Sequence, residues 1–202
     1  MTVTFTPENR EQIRKSIQGE YAKAAASPQG LFAYPTGRAG LEGLDYAPEI
    51  FQALAETVLA SYCGVGNPFK LGQIYQGEAV LDIGSGAGVD VFVAAILVGP
   101  SGRAVGVDLT AEMLTRAERN LRALQLENVN FQQASGEYLP FRHESFDAVI
   151  SNGVFNLIPD KAKALSEVLR VLKPQGRLML ADQVLTGELP KNVKSRVASW
   201  AK

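Results

Sequence analysis

The segment Val80-Leu81-Asp82-Ile83-Gly84-Ser85-Gly86-Ala87-Gly88 sets a carboxylate just before a run of alternating glycines. A second carboxylate, Asp108, stands twenty residues beyond Gly88. Glycines in such a run let the backbone turn sharply and approach a ligand without a Cβ in the way. A dinucleotide fingerprint reads G-x-G-x-x-G/A, which would put its third small residue at position 89. Val89 stands there, and the third glycine comes one residue early. Asp82 would sit badly beside a pyrophosphate and well beside an ammonium or a sulfonium. S-adenosylmethionine carries both groups, so it is the expected ligand. Asp82 then takes its methionyl amino end, and Gly84, Ser85, Gly86, Ala87 and Gly88 form the cradle. Asp108 accepts from the two ribose hydroxyls, and Met113 packs on the adenine face. The plain alternative is a tight turn with two incidental acids, but acid, turn and spaced second acid together favour a ligand.

The elements around these residues place them well. Ala79–Ile83 reads as a strand, Val89–Val98 as a helix apolar nearly all round, and residues 104–108 as a second strand. The spacing predicts a helix over 111–124 with Leu114, Ala117, Leu121 and Leu124 on its inner stripe and Thr110 as its N-cap. Val129–Gln133 and residues 146–151 read as strands three and four. A helix over 160–172 turns Leu165, Val168, Leu169 and Leu172 inward, and Gly176 opens a fifth strand over 177–184. This β-α-β alternation predicts a doubly wound α/β domain with a mostly parallel, Rossmann-like sheet. Ligands in such sheets bind beyond the carboxyl ends of the strands. Before it, residues 1–74 read as helices over 8–26 and 48–61 broken by turns, which divides the chain at 74/75.

Composition narrows the function. The chain has 202 residues, 46% hydrophobic and 20% charged, with net charge −1. That balance leaves no basic face for nucleic acid and no polybasic anchor. The first eleven residues lack the apolar core of a signal peptide, and no apolar run is long enough to span a bilayer. The expected location is the cytoplasm. One cysteine, Cys63, excludes an internal disulfide and a cysteine-rich metal site, and no metal is expected.

The motifs quoted resemble those of class I methyltransferases over most of the chain. Residues 80–90 are similar to the family's first motif and Gly106-Val107-Asp108-Leu109-Thr110 to its second. Gly136-Glu137-Tyr138-Leu139-Pro140-Phe141 resembles the segment after strand three, and Leu172-Lys173-Pro174-Gln175-Gly176-Arg177-Leu178 the turn into strand five. The resemblance adds Leu109, Thr110, Ser135, Gly136, Glu137, Asn152 and Gly153 to the expected cofactor contacts. More narrowly, Cys63-Gly64-Val65-Gly66-Asn67-Pro68 and residues 150–161 resemble the arsenite methyltransferase branch. That implies an N-terminal segment lidding the cofactor, with Tyr21 reaching it from the first helix. It also implies an acceptor pocket bordered by residues 151–157, where Cys63, Asn67 and Asn156 are candidates.

The chain departs from that branch in three places. Gly153 and Val65 stand where cysteines bind arsenic, and one remaining sulfur cannot make a three-thiolate site. Ser135 replaces an acid that contacts adenine, leaving a neutral hydrogen bond. Relatives continue with two more strands, so either this is a shortened form or a partner subunit or second copy completes the acceptor side. Cys63 could equally be a small buried side chain, and Asn67 and Asn152 could serve turn and strand-end backbone. His143 and Arg38 read as surface residues. Two functions stay open: methyl transfer to a small-molecule acceptor, and a non-catalytic scaffold that binds the same nucleoside.

Overall fold

The computed structural model describes residues 5–184 and, beyond them, 186, 187, 192, 195, 197, 198 and 200. Its first helix, α1 (Pro7–Ala26), starts where Thr6 and Asn9 cap each other reciprocally and Pro7 presets φ. Three short helices follow: α2 (Gly37–Gly43), α3 (Pro48–Ala53) and α4 (Glu56–Leu59). The helix expected over 48–61 is therefore split. Leu54 is extended (φ −106, ψ 134), which lets Ile50, Leu54, Val58 and Leu59 all bury in one cluster.

The strands β1 (Ala79–Ile83), β2 (Arg103–Asp108), β3 (Val129–Gln133), β4 (Phe146–Asn152) and β5 (Leu172–Ala181) form one parallel sheet ordered β3-β2-β1-β4-β5. The helices α5 (Val89–Val98), α6 (Ala111–Leu121) and α7 (Lys161–Val171) make the β1–β2, β2–β3 and β4–β5 crossovers, while residues 134–145 carry the chain from β3 to β4 without a helix. The order reverses between β1 and β4, so a crevice opens at the carboxyl ends of those strands. Every residue of β1 is buried because both faces are covered. Leu81 and Ile83 meet α7 residues such as Val168, while Val80 meets Val91 and Ala94 of α5.

Some details differ from expectation. The fully buried positions of α6 are Met113, Ala117 and Asn120. Ala117 is there as expected, and Leu121 and Leu124 pack half-buried against the core, while Met113 takes the inner place expected of Leu114. Asn120 faces inward because its amide donates to Ser61 Oγ at 3.0 Å and to the Ala87 carbonyl at 2.9 Å. Thr110 precedes α6 but makes no side-chain cap bond. On α7, Ala164, Val168 and Val171 face inward, whereas Leu165 and Leu169 are 41% and 74% exposed. Asp160 caps that helix by accepting from the Lys163 amide. The turn at Lys173-Pro174-Gln175-Gly176 lies within β5 as an irregularity, with Gln175 at φ 65, and pairing resumes at Arg177. β5 ends at Ala181. Most residues after Val184 fall outside those described. Among the described residues no helix is long and apolar enough to cross a membrane.

Candidate functional site

The glycine loop leaves β1 and is pinned to the neighbouring strand. The amides of Gly84 and Ser85 both donate to the Val107 carbonyl, at 2.8 and 2.9 Å, and Gly86 donates to Asp108 Oδ2 at 2.8 Å. Gly84 has φ 74, and a Cβ there would lie 2.7 Å from Val154 Cγ1 and closer still to its Cγ2. Gly88 has φ 90 and would press a Cβ against the Phe131 and Phe92 rings. Both positions thus require glycine for conformation and for space.

A cavity opens over this loop. Residues 82–87, 108–110 and 134–137 wall it from the strand tips, and 152–154 and 157–159 from the segment after β4. Arg14, Ile17 and Tyr21 of α1 and residues 61–64 close it. The structure thus gathers Tyr21, Asp82, Gly84, Ser85, Gly86, Ala87, Asp108, Leu109, Thr110, Ser135, Gly136, Glu137, Asn152 and Gly153 at one cavity, with Cys63.

Asp82 is 3% exposed and receives no hydrogen bond among the described residues. Burial, then repulsion from Asp90 and Asp108, pushes its carboxyl well above the usual range. An unpartnered acid at a cavity wall is stabilised by a cationic donor. Ser85 Oγ is likewise buried without a partner among the described residues. Asp108 accepts the Gly86 amide on Oδ2 and the Thr110 amide on Oδ1, both at 2.8 Å. Burial raises its carboxyl, and those backbone bonds pull it back. Each oxygen keeps a second lone pair for a hydroxyl.

Several expected contacts have other duties. Met113 is fully buried under the loop with Ala24, Ala25 and Ala87, and does not line the cavity. Gly88 sits behind the loop as the N-cap of α5. Asn67 lies off the cavity. Its Oδ1 accepts the Phe69 amide and its Nδ2 reaches the carbonyls of Leu44 and Asp45, the backbone role left open by sequence. Asn156 also lies off it; its backbone amide donates to Asp182 Oδ2 at 2.8 Å, and its side-chain Oδ1 is buried without a partner among the described residues. Asn152 lines the cavity, yet its side chain is saturated by protein partners. Glu137 is 2% exposed, and its carboxylate accepts from Arg14 Nη2 at 2.6 Å and the Asp160 amide at 3.1 Å. It therefore latches α1 in place. Burial, with the charges of Asp108 and Asp90, pushes the Cys63 thiol up to about 12, so it stands neutral.

Sequence reasoning missed Arg14, Gln18, Tyr46, Tyr62 and Asp90. The available signal for the first two was the α1 face carrying Arg10, Arg14, Gln18 and Tyr21. Arg10 pairs with Asp160 at 2.7 Å, and Gln18 donates to the Leu109 carbonyl at the tip of β2.

Comparison with known proteins gives a consistent result. A family described as "Methyltransferase domain" matches residues 74–202. An arsenite methyltransferase of Halobacterium salinarum is 36% identical over 198 residues, covering 91% of this chain and 50% of the relative. The arsenite methyltransferase of Homo sapiens is 33% identical, covering 94% and 52%. The crystal structure of an arsenic(III) S-adenosylmethionine methyltransferase from Chlamydomonas reinhardtii superposes with TM-score 0.61 at 37% identity, covering 82% of this chain and 55% of that one. The chain thus spans about half the length of the curated relatives it matches.

Proposed function

Because the chain belongs to the methyltransferase domain family, we propose that it binds S-adenosylmethionine in the strand-tip cavity and promotes methyl transfer to a small-molecule acceptor. The observation that carries this reading is Asp82, a buried carboxylate at the cavity wall with no described donor. It takes the ammonium of the methionyl end. Asp108 accepts from the ribose hydroxyls while holding the loop through Gly86 and Thr110. Residues 135–137 border the adenine, and Tyr21 covers the ligand from α1. S-adenosylmethionine supplies a methyl group on a sulfonium already activated for in-line displacement. What remains for the protein is to orient the acceptor and exclude water. Arg14, Ile17 and Tyr21 on one side and residues 61–64 on another provide that exclusion.

The acceptor side is the part bounded by residues 152–154 and 157–159. At the two positions where the arsenite branch carries cysteines, Val65 and Gly153 face each other: a Cβ on Gly153 would lie 3.1 Å from Val65 Cγ2. With one neutral thiol nearby, this wall suits a small acceptor that needs no thiolate cage. We place the reaction in the cytoplasm. Turnover of methyl-labelled S-adenosylmethionine across thiol, metalloid, quinone and phenol acceptors tests the reading. Label transfer to one class that is lost in Asp82→Ala is the expected result. Binding with no transfer to any acceptor would favour the scaffold instead.

A further inference from the structure

Asp90 lies in the first turn of α5 and lines the same cavity, yet both of its oxygens are taken by protein donors. Oδ1 accepts from the Tyr46 hydroxyl at 2.6 Å and Oδ2 from Asn152 Nδ2 at 2.9 Å. Tyr46 comes from the connection between α2 and α3, and Asn152 is the last residue of β4. Asn152 in turn grips the wall formed by residues 63–66. Its Oδ1 accepts the amides of Val65 and Gly66, each at 2.9 Å, and its Nδ2 is 2.7 Å from the Gly66 carbonyl. The Tyr62 hydroxyl donates to that same carbonyl at 2.9 Å. The chain threads this network at Gly64, where a Cβ would run into Asn152 Nδ2 and the Tyr62 hydroxyl.

Counting protons shows why the acid matters. Tyr46 has one proton, and its short contact goes to Asp90 in preference to the Gly66 carbonyl at 3.3 Å. The two amide protons of Asn152 serve Asp90 and the Gly66 carbonyl, and Tyr62 spends its proton on Gly66. Both Asp90 oxygens must therefore accept. An added proton on Asp90 would face two donors and turn one of them away, Tyr46 towards the Gly66 carbonyl at 3.3 Å or Asn152 Nδ2 towards the Tyr62 hydroxyl at 3.0 Å, so the arrangement around residues 63–66 would change.

We propose that Asp90 is a positioning residue, whose buried carboxylate orients Asn152 and thereby fixes residues 63–66 as the wall beside the acceptor side of the cavity. The role assigned to that wall rests on the methyl-transfer reading; the attachment itself does not. The groups facing Asp90 are Tyr46, Tyr62, Cys63, Asp82 on β1 and, beyond it, Asp108 on β2. Burial raises all of them, so the two phenols keep their protons. Arg14, the cation lining the cavity from α1, is held by Glu137. Burial also raises Asp90, to about 6, against the pull of its bonds from Tyr46 and Asn152. The wall is thus expected to loosen as Asp90 takes up a proton.

The test is amide hydrogen exchange on the ligand-free chain, corrected for the intrinsic pH dependence and read against Val80 and Leu81 in β1. Protection at Val65 and Gly66 should fall at least about tenfold between pH 7.5 and 5.0 while the β1 amides hold. Asp90→Asn should show the low protection at both pH values. Tyr46→Phe removes one bond to the carboxylate and should move the midpoint of the loss to higher pH, which keeps the test open if Asp90→Asn does not fold. Protection within about twofold across the range in the unmodified chain, or an unmoved midpoint in Tyr46→Phe, would overturn the proposal. No ligand enters this measurement, so its failure leaves donor binding standing, and failed donor binding leaves this result standing.

Discussion

Replacing Gly84 by alanine probes the glycine loop at its tightest point. The position has φ 74, where an L-residue costs about 1–2 kcal/mol of backbone strain. The added Cβ would also sit 2.7 Å from Val154 Cγ1 and 2.9 Å from Val154 Cβ. The second contact matters more, because a rotamer change moves γ carbons but leaves Cβ fixed to the chain. Overpacking of this kind costs about 1–3 kcal/mol, so Gly84→Ala should lose about 2–5 kcal/mol in urea unfolding. That is a large share of the stability of an ordinary domain. Val154→Ala in the same chain removes both γ carbons and should return about 1–2 kcal/mol as a favourable coupling in a double-mutant cycle. The strain at φ 74 and the close contact with the β carbon of residue 154 would remain. A loss below about 0.5 kcal/mol, or a strictly additive cycle, would refute the packing of residues 84 and 154 described above.

Asp108→Ala removes the acceptor for the Gly86 and Thr110 amides as well as for the ribose. Affinity for S-adenosylmethionine, measured by calorimetry, should fall by about 1–3 kcal/mol; an unchanged value would place the sugar elsewhere. The buried acids give the stability a definite pH dependence. Asp82, Asp90 and Asp108 all have raised folded values, that of Asp90 about 6, so the folded chain binds more protons than the unfolded one as the pH falls through the Asp90 value to the unfolded carboxylate range of about 4. Global stability should therefore rise on acidification through that window, even as residues 63–66 loosen locally. Glu167, held down to about 2 by Arg170, and Asp147, held down beside Lys173, work in the opposite sense only below that range. The ligand-free Tm should be higher at pH 5.5 than at pH 7.5, and a lower value would contradict the burial of the three acids. On α7, Leu169→Lys should change stability by less than about 0.5 kcal/mol, whereas Val168→Ala should cost about 1–2 kcal/mol. Reversed costs in urea unfolding would show that the helix faces the other way.

Much of the fold was legible because its signals are local. The short apolar run at Ala79–Ile83, the strand Val129–Gln133 and the apolar helix Val89–Val98 have the bounds read from the sequence. Periodicity alone left the helix faces uncertain by one position. Asn120 turns inward for the sake of Ser61 and Ala87, and Leu165 and Leu169 stay outside although they share a stripe with Val168. Asp82, the glycine turn and Asp108 were readable as a group because all three lie within one β-α-β unit, β1 to β2. The contacts that close the site were not. Arg14 meets Glu137 from 123 residues away, and Asp90 meets Tyr46 from 44 and Asn152 from 62. Such pairs leave no spacing signal in a single sequence. Met113 illustrates the converse, since its position one turn into α6 pointed to a ligand, whereas the side chain fills the space beneath Gly86 and Ala87.

Calorimetric titration of the ligand-free chain with S-adenosylmethionine, S-adenosylhomocysteine and NAD tests the central claim most directly. Saturable binding of the first two at one site, weakened in Asp82→Ala, with no heat from NAD, is the expected result. Tight binding of NAD alone, or no heat from either adenosyl ligand in a chain whose unfolding remains cooperative, would contradict it.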